Sequence, residues 1–300
     1  MTALGELNTR FGLEDTLRFE VGIGGFVRGV VGTPTSSGHV YLHGGHVTHF
    51  QPAGQKPVLF MSSLSHFAPG KPIRGGVPIC LPWFGPLSGQ PDAPAHGFAR
   101  LHAWDVESTE KLSDGVRITL RLHATPSTNP FWSTEFQARF ILTFTSTLTM
   151  DLQIKNLSNT TLRFEEALHT YLSVGDVKQV RVTGLEGVRY FSKVEGGAFA
   201  GSPDPITISG ETDRIYLDTQ STVKVIDPSM NRTIVVGKRG SNTTVVWNPW
   251  VNKSKAMPDF GDDEWPGMIC VETCNNTQDY AVTLNPGQTH SMVATVGVEG

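Results

Sequence analysis

Apolar and polar residues alternate along much of this chain, and spacings typical of helices are rare. The clearest alternations run through Val116–His123, Phe140–Ile154, Thr222–Ile226, Thr233–Val236, Thr243–Trp247 and Ser291–Val296. A period of two with many β-branched residues is typical of half-buried antiparallel strands. Turn-forming residues follow or separate these segments at Ser113–Gly115, Asn156–Asn159 and Asn285–Gly287. The pattern predicts an all-β protein without an amphipathic helix of three turns.

The simplest arrangement of so many strands is two large sheets packed face to face. A chain of 300 residues can form one β-rich domain of this kind. The segment Gly196–Pro205 has the composition of a linker, but strand-like residues resume at Ile206, so we interpret it as a surface loop. We expect a single domain over residues 1–300, with residues 1–15 as a loosely ordered N-terminal segment.

Composition and charge exclude several classes of partner. Hydrophobic residues make up 38% of the chain and charged residues 17%, with a formal net charge of −4. This balance provides no basic field for nucleic acid. No run of about 18 apolar residues predicts a membrane span, and the first residues lack the pattern of a signal peptide. We expect a cytoplasmic protein that contacts neither nucleic acid nor membrane, with a monomer as the simplest state.

The cysteine and histidine spacings do not predict a metal site. Cys270 and Cys274 could share an ion, but no second Cys/His pair has zinc-site spacing, and Cys80 lies far away in the chain. The denser cluster of His39, His43, His46 and His49 would need a helix to converge, yet it is interrupted by Gly44-Gly45 and has extended flanks. We therefore expect structural thiols, strand or turn histidines, and no metal or other cofactor.

Two arginine-containing segments are candidates for anion binding. Arg74 stands directly before a Gly-Gly pair and a proline-rich segment that ends at Pro86. A cation beside unobstructed backbone suits an anion or a sugar hydroxyl. His96 and Arg100 lie an even number of residues apart, so in an extended segment their side chains face the same way. A purely structural loop is an equally good interpretation of either segment alone.

Two further segments place ionisable side chains among apolar residues. In Phe164–Tyr171, alternation puts Glu165, His169 and Tyr171 on one face, with Leu168 on the other. Buried groups of this kind need partners, so the face is either a satisfied polar patch or a site. Glu272 ends the apolar run that starts at Met268, where loss of hydration raises a carboxyl pKa and favours a base near neutral pH.

Together, Arg74–Pro86, His96–Arg100, Ala167–Tyr171 and Ile269–Glu272 resemble the hexose-6-phosphate mutarotases (glucose-6-phosphate 1-epimerases) of the aldose 1-epimerase superfamily. The resemblance extends from about Leu42 to near the C-terminus. It implies a β-supersandwich of the galactose-mutarotase type. It also implies interconversion of the α and β anomers of a hexose 6-phosphate by ring opening and closure, without a cofactor.

The resemblance also implies roles for particular residues. Glu272 matches the general base on the C1 hydroxyl, and His169 matches the general acid on the ring oxygen. His96 matches a histidine that bonds the substrate, and Arg74 and Arg100 match arginines that bind the substrate and its phosphate. The implied partner is a small-molecule sugar phosphate.

Two departures from the family pattern bear on substrate preference. The family often has Gln at the position of Ala95, and Asp at the position of Ser192. Both differences remove a sugar-contacting group. Two alternatives therefore stay open: an epimerase of unphosphorylated aldoses, and a non-catalytic carbohydrate-binding module with the same fold.

Overall fold

The computed structural model describes residues 3–125 and 129–299 of the chain. The α-helices in these residues are α1 (Ala3–Phe11) and α2 (Trp250–Ala256). The strands, in chain order, are β1 (Leu17–Val21), β2 (Val27–Gly32), β3 (Ser36–Tyr41), β4 (His46–Pro52), β5 (Ile79–Cys80), β6 (Asp105–Lys111), β7 (Val116–Ala124), β8 (Phe136–Phe144), β9 (Leu148–Asn156), β10 (Leu162–Phe164), β11 (Glu166–Leu168), β12 (Tyr171–Ser173), β13 (Arg181–Thr183), β14 (Tyr190–Ser192), β15 (Gly197–Phe199), β16 (Thr212–Tyr216), β17 (Val223–Asp227), β18 (Arg232–Arg239), β19 (Thr243–Asn248), β20 (Met268–Asn275), β21 (Val282–Leu284) and β22 (Thr289–Glu299).

Two eight-stranded antiparallel sheets dominate the architecture. One has the order β13-β17-β18-β22-β9-β8-β7-β6, and the other has the order β15-β14-β16-β19-β20-β11-β5, with β12 also paired to β20. A four-stranded sheet (β1–β4) and a two-stranded sheet (β10 and β21) accompany them. The all-β, antiparallel architecture predicted from alternation is confirmed.

The core forms where alternating strands turn their apolar faces inward. In β8 every second residue is buried, from Phe136 through Phe140 to Phe144. Burying one such side chain contributes roughly 1.5–3 kcal/mol. Strands β19 and β20 behave differently, because every residue in them is buried. A polar side chain in either strand is therefore held away from bulk water, which matters for Glu272.

Two local predictions need correction. The alternation through Phe140–Ile154 is a hairpin and not one strand: β8 ends at Phe144 and β9 begins at Leu148. The turn keeps the phase of the pattern, since Phe144 and Leu148 are opposite each other and both are buried. Within the segment interpreted as a loop, Gly197–Phe199 forms the short edge strand β15.

The N-terminal segment contains a helix that contacts the first strand. Residues Ala3–Phe11 form α1, and the Asn8 side chain both donates to the carbonyl of Phe19 and accepts from its amide, each at 2.7 Å. These bonds fasten the helix to β1. The short helix escaped the sequence pattern because it buries none of its residues completely.

The strands of the two large sheets alternate along the chain, so no single cut separates them. One cluster of buried hydrophobic residues includes side chains from both. On this basis we propose that residues 1–300 form one domain. No helix in the described ranges is long and apolar enough to cross a membrane.

Candidate active site

The register of the central sheet brings His169 opposite Glu272. Leu168 on β11 pairs with Thr273, and Tyr171 on β12 pairs with Cys270. When the register is continued from either of these two pairs, His169 lies across from Glu272. Their side chains meet there, with Nε2 of the histidine 3.2 Å from Oε1 of the carboxyl group.

Burial decides where the proton of this pair resides. Glu272 is 1% exposed and His169 is 8% exposed. Lost hydration raises the pKa of Glu272 well above its usual range and lowers the pKa of His169 well below its own. Burial therefore favours a neutral imidazole beside a protonated carboxyl group over an ion pair. The pair holds one proton in either arrangement and titrates as a unit.

His96 lies beside this pair in a defined tautomer. Its ring centroid is 5.8 Å from that of His169, and its Nδ1 accepts a bond of 3.3 Å from the Gly85 amide. Burial, the charge of Arg100 and the neighbouring His169 lower the pKa of His96, so the ring is neutral. With Nδ1 accepting, the proton is on Nε2, which makes that nitrogen a donor.

Arg74 lies at the pocket wall and is held by two side chains. Its guanidinium donates to the Tyr171 hydroxyl at 3.0 Å and contacts Asp259 Oδ2 at 3.0 Å. Asp259 belongs to the acidic segment 259–264, a type of charge run that most often forms a solvated surface. Asp262 and Asp263 are exposed in this way, whereas Asp259 is buried against Arg74.

The loop that carries Arg74 is supported by two members of the histidine cluster. His46 Nε2 is 2.7 Å from the Gly75 carbonyl, and His43 Nε2 is 3.0 Å from the Lys71 carbonyl. The Gly76 amide, expected to be free for an anion, donates instead to the Phe60 carbonyl at 2.7 Å. The glycine pair therefore serves close packing of the loop, and the histidines are the strand and turn residues that we predicted.

Two lysines, Lys193 and Lys253, complete the rim of the pocket. Lys193 follows β14, with its ammonium 4.6 Å from the Phe84 ring centroid and 3.7 Å from Asp213. Lys253 on α2 lies 3.3 Å from Glu211. Nothing in the local sequence marks Lys193, because it reaches the pocket only through the pairing of β14 with β16.

Aromatic rings form the remaining walls of the pocket. The Tyr171 ring stacks on His169 with centroids 4.8 Å apart, and Trp247 makes edge contacts with both. Phe84 lies on another side. The pocket is a cleft that is partly open to solvent, with about 520 Å³ of space when its open part is included. Apolar ring faces beside convergent polar groups suit a sugar, whose two faces differ in polarity.

Arg100 does not share an extended face with His96, contrary to the expectation from spacing. His96 and Gly97 both have positive φ values, of 64° and 73°, and residues Ala99–Leu101 form a 3₁₀ turn. The guanidinium of Arg100 is buried, donates to the Ala95 carbonyl at 2.7 Å and lies outside the set of pocket-lining residues. The pocket-lining set does contain Arg74, His96, His169 and Glu272.

The described parts of the chain carry one close group of three metal-ligand types, formed by His169, Cys270 and Glu272. None of its members belongs to the cluster from His39 to His49. The sequence spacing could not reveal this group, because its histidine lies about 100 residues before Cys270, between β11 and β12.

Comparison with known proteins identifies the family. A model of the aldose 1-epimerase family matches residues 31–296. The chain belongs to the aldose 1-epimerase family. Its resemblance to this family, noted from four sequence segments, is thereby confirmed.

Curated relatives align with most of the length of this chain. A protein of Escherichia coli (strain K12), named "Putative glucose-6-phosphate 1-epimerase", is 38% identical over 255 residues, or 85% of each chain. A protein of Cenchrus ciliaris with the same name is 36% identical over 260 residues, which are 83% of this chain and 77% of that one.

Solved structures agree with the fold. The crystal structure of YeaD from Salmonella typhimurium, described as a "putative mutarotase", has a TM-score of 0.89 and 29% identity, with 98% of each chain covered. Galactose 1-epimerase of Lactobacillus acidophilus NCFM has a TM-score of 0.71 at 11% identity, covering 95% of this chain and 98% of that one. The expected β-supersandwich of the galactose-mutarotase type is confirmed.

Proposed function

We propose that this protein interconverts the α and β anomers of a hexose 6-phosphate, with glucose 6-phosphate as the substrate to test first. The observation that carries the proposal is the buried His169–Glu272 pair in a pocket whose rim holds three cations. The names of the E. coli and C. ciliaris relatives support the choice of substrate.

The reaction needs one proton removed and one delivered at neighbouring oxygens of the sugar, about 2–3 Å apart. Glu272 takes the proton of the C1 hydroxyl, the C1–ring-oxygen bond breaks, and His169 protonates the ring oxygen. The aldehyde rotates about the C1–C2 bond, and closure on its other face gives the opposite anomer. The reverse proton movements restore both side chains.

This sequence starts from the arrangement with the proton on His169. Transfer of one proton from Glu272 to His169, across their 3.2 Å contact, converts the arrangement that burial favours into this one. A substrate whose hydroxyl donates to Glu272 and whose ring oxygen accepts from His169 replaces lost hydration of both groups, and so stabilises the reactive arrangement. His96, with its donor Nε2, holds the sugar near the reacting centre.

The phosphate is assigned to the rim. Arg74, Lys193 and Lys253 line the pocket, and each has a carboxylate partner that a phosphate could replace. Charge-assisted bonds of this type contribute roughly 1.5–3 kcal/mol each. Arg100, predicted from sequence as a further phosphate ligand, is buried outside the pocket-lining set, and its role stays a prediction.

An epimerase of unphosphorylated aldoses is the second candidate, because all three rim cations are neutralised by Asp259, Asp213 and Glu211. Polarimetry on pure anomers of glucose and glucose 6-phosphate separates the possibilities. The proposal expects fast anomerisation of the phosphate ester and slow anomerisation of the free sugar. Equal rates would favour the second candidate, and tight binding without turnover would indicate a carbohydrate-binding module.

A further inference from the structure

A cysteine lies beside the proposed proton-transfer pair without lining the pocket. Cys270 precedes Glu272 by two residues on β20, so both side chains are on the same face of the strand. The strand register places Tyr171 opposite Cys270. As a result, ligand atoms of His169, Cys270 and Glu272 all lie within 4.8 Å of one another.

This combination of donors matches the preferences of one class of cation. Zinc binds imidazole, thiolate and carboxylate at about 2.0–2.3 Å, and zinc sites open to substrate have three protein ligands and one free position. Tetrahedral bonds of that length put the donors about 3.3–3.8 Å apart. His169 and Glu272 are already 3.2 Å apart, so closing the site needs only a small movement of side chains.

The histidine can make that movement at little cost. His169 is more than nine-tenths buried, and its Nδ1 has no hydrogen-bond partner within the described ranges. Rotation of the ring therefore breaks only one polar side-chain contact, that with Glu272, which the metal would replace, and it shifts the ring against Tyr171 and Trp247. Because His169 and Glu272 both line the pocket, a hydrated cation reaches them by the route that a sugar would use.

We propose that His169, Cys270 and Glu272 bind a soft divalent cation, of which Zn²⁺ and Co²⁺ are the probes, and that the bound ion inhibits the enzyme. The inhibition, but not the binding, rests on the function proposed above. The thiol proton of Cys270 and any proton on Glu272 pass to solvent, and a water molecule occupies the fourth position. With both proton-transfer groups held by the ion, neither can act on a sugar.

Removal of the metal ion by a chelator distinguishes this inhibitory site from a catalytic metal centre. Anomerisation by His169 and Glu272 requires both side chains to be free. A strong chelator should therefore leave the activity of the purified protein unchanged, or increase it when adventitious zinc is present. A loss of activity that one divalent ion restores would contradict this.

Binding is tested first by absorption spectroscopy with Co²⁺, which needs no substrate. The wild type should show a thiolate-to-cobalt charge-transfer band, and Cys270→Ala should lack it. Cys274→Ala is the matched control, because Cys274 lies on the same strand, is equally buried, and has its sulfur 4.0 Å from Glu272 Oε2. The band should persist in this control. If Cys270→Ala fails to fold, Cys270→Ser replaces it.

Inhibition is tested by titrating Zn²⁺ into the anomerisation assay. Cys270→Ala should keep the metal-free turnover of the wild type. Loss of an outer residue that only supports a metal ligand typically weakens metal binding roughly 10–100-fold. Because Cys270→Ala removes a ligand itself, the Zn²⁺ concentration for half-inhibition should rise above the wild-type value by more than this factor. Absence of the cobalt band in the wild type, or its loss in Cys274→Ala alone, would overturn the site. A cobalt band in a protein without anomerase activity would instead refute the proposed function and leave the site standing.

Discussion

Two histidine–glutamate pairs with a fully buried carboxyl group occur among the described residues, and they differ in surroundings. His169 and Glu272 line the pocket, whereas His290 lies 2.9 Å from Glu166 outside it. Glu166 also accepts a bond of 2.9 Å from the Asn275 amide. The second pair thus has the same chemistry in a structural setting, and it serves as an internal control for the first.

Substitution of the pocket pair should stop turnover and preserve the fold. Glu272→Gln and His169→Asn should each reduce turnover by roughly 10²–10⁴-fold, the usual contribution of a general acid or base. Stopped-flow polarimetry, corrected for spontaneous anomerisation, measures the effect.

The control for this prediction is Glu166→Gln, which should lower stability without a comparable loss of turnover. Circular dichroism should show folded protein for all three variants. Turnover near the wild-type value in Glu272→Gln or His169→Asn would exclude that residue from proton transfer.

Arginine substitutions separate phosphate binding from general support of the site. Arg74→Ala should reduce the advantage of glucose 6-phosphate over glucose by about one to two orders of magnitude in kcat/KM, because a charge-assisted bond is lost. The sequence predicts a similar loss for Arg100→Ala. The burial of Arg100 predicts instead that both substrates are affected alike, through displacement of His96. The measurement is the ratio of kcat/KM for glucose 6-phosphate to kcat/KM for glucose, determined for Arg100→Ala and for the wild type. A lower ratio in Arg100→Ala supports the sequence prediction, and an unchanged ratio supports the prediction from burial.

Among the structural elements, the turn that holds His96 depends on a glycine. Gly97 has φ of 73°, and a Cβ added there would lie 1.9 Å from the Leu81 carbonyl oxygen. This close approach explains why the segment turns instead of continuing as a strand. It also explains how His96 reaches the pocket while Arg100 is directed into the interior.

Gly97→Ala should therefore destabilise the protein far more than Gly89→Ala. Gly89 has a similar φ of 74° but open space around its Cα, so its substitution costs only the backbone strain of about 1–2 kcal/mol. Gly97→Ala adds a steric clash with backbone, and should also raise KM through movement of His96. Urea denaturation gives both free energies of unfolding, and equal values would show that the contact is not restrictive.

For the whole molecule, buried histidines set the response of stability to acid. Burial lowers the pKa of His46 to about 3 and that of His39 to about 4, and it also lowers that of His96. Unfolded histidine titrates near pH 6.5, so the unfolded chain binds more protons below that pH. Stability is therefore complete above about pH 6.5 and declines as the pH falls.

His290 contributes in the opposite direction. Burial acts to lower its pKa, but the hydrogen bond and charge of Glu166 outweigh burial and the net shift is upward. The stability from this residue is present below pH 6.5 and is lost as the pH rises through its folded pKa. It offsets only part of the acid effect, because more histidines have lowered values.

The free energy of unfolding should thus decrease between pH 6.5 and 4.5, by up to about 1.4 kcal/mol per pH unit for each histidine held neutral. His46→Gln keeps a donor for the Gly75 carbonyl but does not titrate, so it should flatten the decline. The control is His66→Gln, at an exposed position. Denaturation curves at three pH values measure the slopes, and identical slopes in His46→Gln and wild type would contradict the assignment.

The sequence by itself determined the all-β class, the family, and the positions of most strands in the sheet that contains β7, β8, β9, β17, β18 and β22. Alternation with period two depends only on which residues need burial, so it can be recognised in the sequence without knowing which strands pair. Arg74, His96, His169 and Glu272 were predicted as site residues because their segments combine ionisable groups with apolar or glycine-rich surroundings, and the structure places all four at one pocket. The helix α1 was not identified because it buries none of its residues completely, and the break at Phe144–Leu148 was not identified because the turn keeps the alternation in phase.

Only the tertiary structure decided which of these groups meet. The contact between His169 and Glu272 follows from the register of β11, β12 and β20, and Lys193 enters the pocket through the pairing of β14 with β16. The placement of Arg100 depends on two positive φ values that spacing does not encode. Register and backbone turns arise from packing between distant segments, which local sequence cannot specify, and they alone placed Cys270 beside the pair.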